Sequence, residues 1–158
     1  MTSESIDSPA RGTAEPESEG RTGWPQNAAV LVVEDDPLIG LNLVQMLEML
    51  GFEARLAPRA EKALAMLAEG PAPVLLLTDL RLPGMNGVAL AMEARRSHPG
   101  LPVLLTTGQA QDELNLPAEL TKRTGFLGKP YAMRQLEAAL SALRQQTRED
   151  AGTGQTSA

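Results

Sequence analysis

Acidic, hydroxyl and cationic side chains stand directly after four separate apolar runs in this sequence. They are Glu34, Asp35 and Asp36 after residues 28–33, Asp79 after 74–78, Thr106 and Thr107 after 102–105, and Lys129 after 125–128. Carboxylates bind hard divalent cations such as Mg²⁺, while a lysine ammonium and a threonine hydroxyl suit the oxygens of a phosphoryl group. If the four positions meet in space, they predict a site for a divalent cation beside a phosphoryl group.

The apolar runs bring these side chains together only if they are parallel strands of one sheet. The carboxyl ends of such strands lie at one edge, where open α/β sheets bind their ligands. Segments with helical spacing alternate with the runs, and parallel strands need such crossover helices. The predicted strands are 28–33, 52–57, 74–78, 103–106 and 126–127, and the predicted helices are 37–50, 58–69, 87–97, 109–122 and 131–144. The pattern therefore predicts an α/β fold with a doubly wound, five-stranded parallel sheet, and it leaves the strand order open.

Composition limits the classes of function. The 158 residues contain no cysteine, which excludes disulfides, thiol catalysis and cysteine-bound metal clusters. A net charge of -6 argues against nucleic-acid binding, because no basic stripe offsets the acidic surface. No apolar stretch approaches the roughly 20 residues that span a bilayer, and the first residues lack the pattern of a signal peptide. We expect a cytoplasmic protein that neither binds nucleic acid nor inserts into a membrane.

Polar stretches flank the predicted folded segment. Residues 1–26 are rich in Ser, Glu, Pro, Gly and Thr, and residues 147–158 are similarly polar. Such compositions bury too little apolar surface to offset the entropy that is lost on ordering. The expected organisation is a disordered N-terminal tail over 1–26, one domain over 27–146 and a disordered C-terminal tail over 147–158.

Each candidate side chain also has a plain structural interpretation. Asp36 precedes Pro37 and suits the cap of a helix, whereas the two acids before it exceed what one cap requires. Asp79 is followed by a loop, so a capping role does not explain it. Lysines at strand ends are usually solvated and a threonine often ends a strand, so Lys129 and Thr107 gain meaning only in combination with the acids.

The four motifs stand in the order and spacing of a known family. They are Val32-Val33-Glu34-Asp35-Asp36-Pro37, Asp79-Leu80-Arg81-Leu82-Pro83-Gly84-Met85-Asn86-Gly87, Leu105-Thr106-Thr107-Gly108 and Lys129-Pro130. Over about Asn27 to Arg144 the sequence resembles the receiver domain of two-component response regulators. The resemblance implies a flavodoxin-like receiver fold with strand order 2-1-3-4-5, in which the first and third strands are neighbours.

The resemblance also implies a phosphoacceptor and a metal site. Asp79 is the expected phosphoacceptor, and the donor is a sensor histidine kinase or a histidine phosphotransfer protein. The expected cation is Mg²⁺ or Mn²⁺, bound by Glu34, Asp35 and Asp79 and by the backbone carbonyl of Arg81.

Further residues are implied to bind the phosphoryl group and respond to it. Lys129 and Thr107 are expected to bind its oxygens, and Phe126 is the expected switch aromatic that moves together with Thr107. Arg81 and Gln109 are expected to tune the lifetime of the phosphoryl group. Arg81 fits a solvated loop residue equally well.

The expected function is a phosphorylation-activated signalling switch rather than an enzyme. Only residues 147–158 follow the predicted domain, so we expect a stand-alone receiver that signals by binding an unidentified downstream protein. The alternative is a module that keeps the receiver fold and binds proteins without phosphorylation.

Overall fold

The structure is a computed structural model that describes residues 22–108 and 116–157. These residues contain five parallel strands and four α-helices. The strands are β1 (Ala29–Val33), β2 (Glu53–Ala57), β3 (Leu75–Asp79), β4 (Val103–Thr107) and β5 (Thr124–Gly128). The helices are α1 (Pro37–Met49), α2 (Ala60–Glu69), α3 (Gly87–Ser97) and α4 (Met133–Ser157). The strand order is β2-β1-β3-β4-β5, which confirms the predicted fold class and order.

Helices cover both faces of the sheet, because side chains alternate in direction along each strand. In β1, Val30 and Val32 pack in one apolar cluster with residues of α1 and α4. Leu31 and Val33 pack in a second cluster with residues of α2 and α3. The middle strands β3 and β4 are buried at every position. A sheet packed on both faces holds its strand ends in fixed positions, and those ends carry the predicted site.

Side-chain caps set where two of the helices begin. The Asp36 carboxylate accepts hydrogen bonds from the backbone N–H groups of Leu38 and Ile39 at 2.9 and 3.3 Å, which confirms its predicted role as the cap of α1. Asn86 caps α3 in the same way, because its Oδ1 accepts from the N–H of Ala89 at 2.8 Å. Asp36 is therefore engaged in local structure, which leaves the two acids before it for the site.

The folded part extends past the predicted domain limits of 27–146 at both ends. Trp24 falls within the tail predicted to be disordered, yet only 2% of its surface is exposed. At the other end, α4 continues to Ser157, through most of the second predicted tail. A distant partner buries Trp24, and an established helix continues at little cost per residue. The predicted disorder of the two tails stays a prediction. None of the described helices, α4 included, is long and apolar enough to cross a membrane.

Other element boundaries differ from the predicted ones by a few residues. β5 has five residues instead of two, α2 begins at Ala60 instead of 58, and α4 begins at Met133 instead of 131. β3 ends on Asp79 itself rather than on the residue before it. The acid is thus held by strand pairing, which fixes its position more firmly than a loop would.

The predicted helix over 109–122 falls partly outside the described residues, which resume at Leu116. The described remainder contains a 3-10 turn at Ala118–Leu120, in which Leu120 is fully buried. Pro117 precedes this turn, and a proline disfavours helical backbone at the residue before it. Within the described residues, a short turn therefore stands in place of the end of the predicted helix.

Candidate functional site

Neighbouring strands place the predicted site residues at one edge of the sheet. β1 lies beside β3 in parallel register, so Glu34, just after β1, stands next to Asp79, the last residue of β3. On the other side of β3, Thr107 ends β4 opposite Gly128, the residue before Lys129. The strand order therefore brings the acids, the hydroxyl and the ammonium to a common edge.

Three carboxylates converge there. One oxygen from each of Glu34, Asp35 and Asp79 lies within 4.8 Å of the other two. Glu34 and Asp79 are 4% and 8% exposed, whereas Asp35 is exposed. The Oε2 atom of Glu34 accepts a hydrogen bond from the backbone N–H of Asp36 at 3.1 Å, which orients its carboxylate. The cluster offers the hard oxygen ligands that Mg²⁺ and Mn²⁺ take, so these residues fit such a cation.

Lys129 offsets part of the negative charge. Its Nζ lies 3.0 Å from Oδ2 of Asp79. Its backbone N–H donates to the carbonyl of Thr107 at 2.8 Å, which fixes the root of the side chain. The backbone N–H of Arg81 donates to the other oxygen of Asp79, Oδ1, over a longer 3.4 Å. Asp79 is thus the one acid of the cluster that stands between the other carboxylates and the ammonium.

An open pocket leads from solvent to Asp79. It has a volume of about 300 Å³. Its lining residues are Asp79, Leu80, Arg81, Thr107, Gly108 and Lys129. Gly108 leaves the pocket wall open, since, its chain neighbours aside, no atom of the described residues lies within 4 Å of the place where a Cβ would stand. The pocket has room for a group of phosphoryl size at Asp79, bounded by Lys129, directly after β5, and by Thr107 at the end of β4.

Burial and neighbouring charges raise the pKa of Glu34 above its ordinary value of 4.5. Loss of solvation contributes most, and the charges of Asp79 and Asp35 act in the same direction. The hydrogen bond from the N–H of Asp36 and the charge of Lys129 lower the pKa and offset part of this effect. The site therefore bears an unfavourable concentration of negative charge at neutral pH when no cation is present.

We expect Glu34→Gln to stabilise the metal-free protein at neutral pH. Because its pKa is raised on folding, Glu34 favours the folded state only at low pH, and this contribution is lost as the pH rises from 4.5 through the raised pKa. A glutamine carries no charge and can still accept the N–H of Asp36. The gain in Tm over the wild type, measured in EDTA, should be near zero at about pH 4 and grow toward pH 7. The exposed Glu48→Gln serves as the control, and a gain that does not change with pH would contradict this explanation.

One residue near the acids was missed by the sequence analysis. Tyr131 is half-buried against the cluster between the sheet and α4. Burial raises the pKa of its phenol, and the charges of Glu34 and Asp79 raise this pKa further. Tyr131 therefore interacts electrostatically with both acids. Its position two residues after Lys129 was the available signal. The helical spacing of the sequence instead predicts Tyr131 in the first turn of the last helix.

The predicted switch residues, Phe126 and Thr107, lie on neighbouring strands, and the predicted tuning residue Arg81 lies at the mouth of the pocket. Phe126 is in β5 opposite Leu105 of β4, half-buried against the cluster of α2 and α3. Thr107 is two residues beyond Leu105 and is 4% exposed, so it and Phe126 are on neighbouring strands. Arg81 is exposed at the pocket mouth. Gln109 lies outside the described residues.

Comparisons with known proteins match most of this chain. A family model described as the response regulator receiver domain matches residues 30–141. The crystal structure of a response regulator receiver protein from Sinorhizobium medicae is 27% identical, with a TM-score of 0.65, and the match covers 76% of this chain and 96% of that one. A CheY-like receiver domain protein from Methanospirillum hungatei is 29% identical, with a TM-score of 0.63 and coverage of 77% and 98%.

Curated relatives are longer than the matched region. The sensor kinase CckA of Brucella abortus is 33% identical over 113 residues, which are 70% of this chain and 12% of CckA. The DNA-binding transcriptional regulator NtrC of Salmonella typhimurium is 32% identical over 125 residues, which are 77% of this chain and 26% of NtrC. The chain thus spans a minor part of these two relatives.

Proposed function

Because the chain belongs to the response regulator receiver family, we propose that it is a phosphorylation-activated switch with Asp79 as the phosphoacceptor. The donor is the phosphohistidine of a sensor histidine kinase or of a histidine phosphotransfer protein. The output is binding to another protein rather than an enzymatic reaction. The observation that carries this proposal is the ion pair of Asp79 with Lys129 beside two further carboxylates at an open pocket.

The proposed step transfers a phosphoryl group to a carboxylate. One oxygen of Asp79 attacks phosphorus, an O–P bond forms to give an acyl phosphate, and the P–N bond breaks with its electron pair left on the imidazole. Such transfers depend mainly on positioning and on neutralising charge. Lys129 supplies a positive charge for the phosphoryl oxygens, and Thr107 supplies a hydroxyl on the pocket wall. The chain's own residues thus provide the nucleophile and part of the charge neutralisation.

Glu34, Asp35 and Asp79, with the backbone carbonyl of Arg81, are the residues proposed to hold Mg²⁺ or Mn²⁺. The closeness and partial burial of the three carboxylates support this assignment, because charges of one sign so placed are costly without a counter-charge. When bound, the cation supplies positive charge that offsets the charge on the phosphoryl oxygens.

Mg²⁺ is expected to raise the Tm, and Asp35→Asn is expected to remove most of that response. At a concentration 100 times its Kd, a ligand that binds one site of the folded state stabilises it by about 2.7 kcal/mol. Asp35 is exposed, so the variant should fold like the wild type and lose one anionic ligand. The measurement is Tm as a function of Mg²⁺ concentration.

Asp36→Asn is the matched control for this titration, because asparagine caps helices as well as aspartate does. It removes a neighbouring charge but no proposed ligand, so most of the Mg²⁺ response should remain. Equal loss in both variants would mean that Mg²⁺ acts through general charge screening and not through the proposed site.

A protein partner is supported by the surface of α1, which begins just after the acids. Leu38, Leu41 and Met49 are 77%, 52% and 72% exposed on this helix. Contiguous exposed apolar surface marks sites that bind other proteins, and Leu38 and Leu41 lie one turn apart on this helix. The same observation also favours the alternative, a module that binds proteins through a receiver fold without being phosphorylated.

The deciding experiment is incubation with a small acyl phosphate and Mg²⁺, followed by electrophoresis on a phosphate-affinity gel. The switch predicts a retarded band that EDTA prevents. If neither the small donor nor a phosphohistidine protein produces this band, the switch proposal fails and the phosphorylation-independent module is favoured.

The scope of the proposal is the receiver region alone. One relative is a sensor kinase and another is a DNA-binding regulator, and this chain spans 12% and 26% of their lengths. Their kinase and DNA-binding activities are therefore not proposed for this chain. Signalling as a stand-alone receiver and a cytoplasmic location remain predictions from the sequence.

A further inference from the structure

Polar contacts attach the segment before β1 to the last helix. The indole Nε1 of Trp24 donates a hydrogen bond to the carbonyl of Leu140 at 2.8 Å. The guanidinium of Arg144 lies 5.0 Å from the centre of the Trp24 ring, within the range of a cation–π contact. Arg144 Nε also donates to the carbonyl of Gly23 at 3.2 Å. A segment predicted to be disordered is thus held by specific contacts across more than a hundred residues of chain.

The same segment is also attached to the end of α1. The backbone N–H of Asn27 donates to the carbonyl of Gly51 at 2.7 Å. Trp24 is buried in the apolar cluster that includes Leu50, directly after α1, and Leu143 of α4. Residues 22–27, which we call the strap, therefore bridge α1 and α4. The strap lies at the amino end of β1, the end of the sheet opposite the acids.

The strap lies outside the part of the chain that matches its family. The match covers residues 30–141, so Trp24 precedes it and Arg144 follows it. The two flanks of the matched region contact each other directly. The contacts of Arg144 with Gly23 and Trp24 therefore join the two flanks, while the Trp24 indole also bonds to Leu140, inside the matched region.

We propose that the strap fixes α4 against the sheet, so that α4 stays rigid whether or not Asp79 carries a phosphoryl group. The buried side chains of α4 hold one face of the helix, and the strap adds contacts at Leu140 and Arg144. The part that concerns phosphorylation rests on the proposed function. It means that a structural response to the phosphoryl group leaves the domain through elements other than α4.

The test is amide hydrogen exchange in the full chain for Trp24→Phe, Arg144→Met and the double variant. Trp24→Phe keeps an aromatic ring and removes the N–H donor, while Arg144→Met keeps an apolar stem and removes the charge. Each single variant should speed exchange of α4 amides around residues 140–147 by about tenfold, as expected for loss of one such contact. Because the two side chains act on each other, the double variant should show less than the product of the two single effects.

Arg134→Met is the matched control, since Arg134 is an exposed residue in the first turn of the same helix, away from the strap. It should leave exchange in α4 unchanged. A rise in exchange that is equal in α4 and in β3, or no rise in α4, would overturn the proposal. Arg144→Met keeps the test decisive if Trp24→Phe folds poorly.

The last part of the test compares α4 in the wild type before and after treatment with a small acyl phosphate. The exchange rates of the α4 amides before and after treatment should agree within about twofold. That difference is well below the effect of losing a strap contact. A larger change on phosphorylation would refute the rigid role of α4. The variants are compared without phosphorylation, so failure of phosphoryl uptake would count against the proposed function and leave the strap result standing.

Discussion

Asp79→Asn is expected to abolish phosphoryl uptake from a small acyl phosphate. A carboxamide is a poor nucleophile and cannot form the acyl phosphate, and no other acid of the cluster has the same surroundings. Glu34 is turned toward the N–H of Asp36, and Asp35 has no ammonium partner among the contacts that the structure describes. Within the part of the chain that the structure describes, Asp79 is the acid that pairs with Lys129 at the pocket. Phosphate-affinity electrophoresis should therefore show no retarded band for the variant.

Asp36→Asn is again the informative comparison for this loss. It removes one carboxylate next to the site and keeps the cap of α1, so it should retain the retarded band. A retarded band of normal intensity in Asp79→Asn would show that another acid takes the phosphoryl group. Peptide mapping of that band would then identify the residue and refute the assignment of Asp79.

The fold was predictable because local signals and the global pattern agree. The apolar runs, the helical spacing between them and the cap at Asp36 all favour alternating strands and helices, and the structure has them. The strand order was not in this pattern, because alternation alone does not place β1 between β2 and β3. It followed from the family resemblance, and the pairing of β1 with both neighbours confirms it.

The edge location of the site was predictable for the same reason. Residues that directly follow parallel strands must share an edge, so the nearness of Glu34 to Asp79 needed only the strand order. The 3.0 Å contact between Lys129 and Asp79 was beyond the sequence, because it depends on the conformation of a long side chain. Tyr131 was missed for a similar reason, since its burial depends on how α4 approaches the sheet.

The strap was not predictable from composition. Trp24 is an isolated large apolar residue in a polar stretch, and such a stretch is usually disordered. Its burial depends on Leu140 and Arg144, whose positions are set only once α4 has packed. The residues beyond Leu143 in α4 lack the apolar spacing that predicts a helix, so the length of α4 was also underestimated.

The site also depends on a glycine that takes no part in the chemistry. Gly87 opens α3, and its backbone N–H donates to the carbonyl of Leu80 at 2.8 Å. A Cβ at this position would lie 2.5 Å from the backbone oxygen of Asp79 and 3.1 Å from the Cα of Leu80. Both neighbours are backbone atoms, which cannot turn aside as a flexible side chain can. The start of α3 therefore packs directly on the segment that holds Asp79, the proposed phosphoacceptor.

We expect Gly87→Ala to lower the free energy of unfolding by about 3 kcal/mol, the upper end for overpacking, because relief requires movement of the backbone of Asp79 or of α3. The same movement displaces Asp79 from Lys129, so phosphoryl uptake should fall together with stability. Gly128→Ala is the matched control, since, within residues 22–108 and 116–157 and apart from its two chain neighbours, no atom lies within 4 Å of its added Cβ. It should be neutral or slightly stabilising, because alanine restricts the unfolded chain. If urea unfolding shows equal stability for the two variants, the close packing of α3 on Asp79 is not what holds the acid in place.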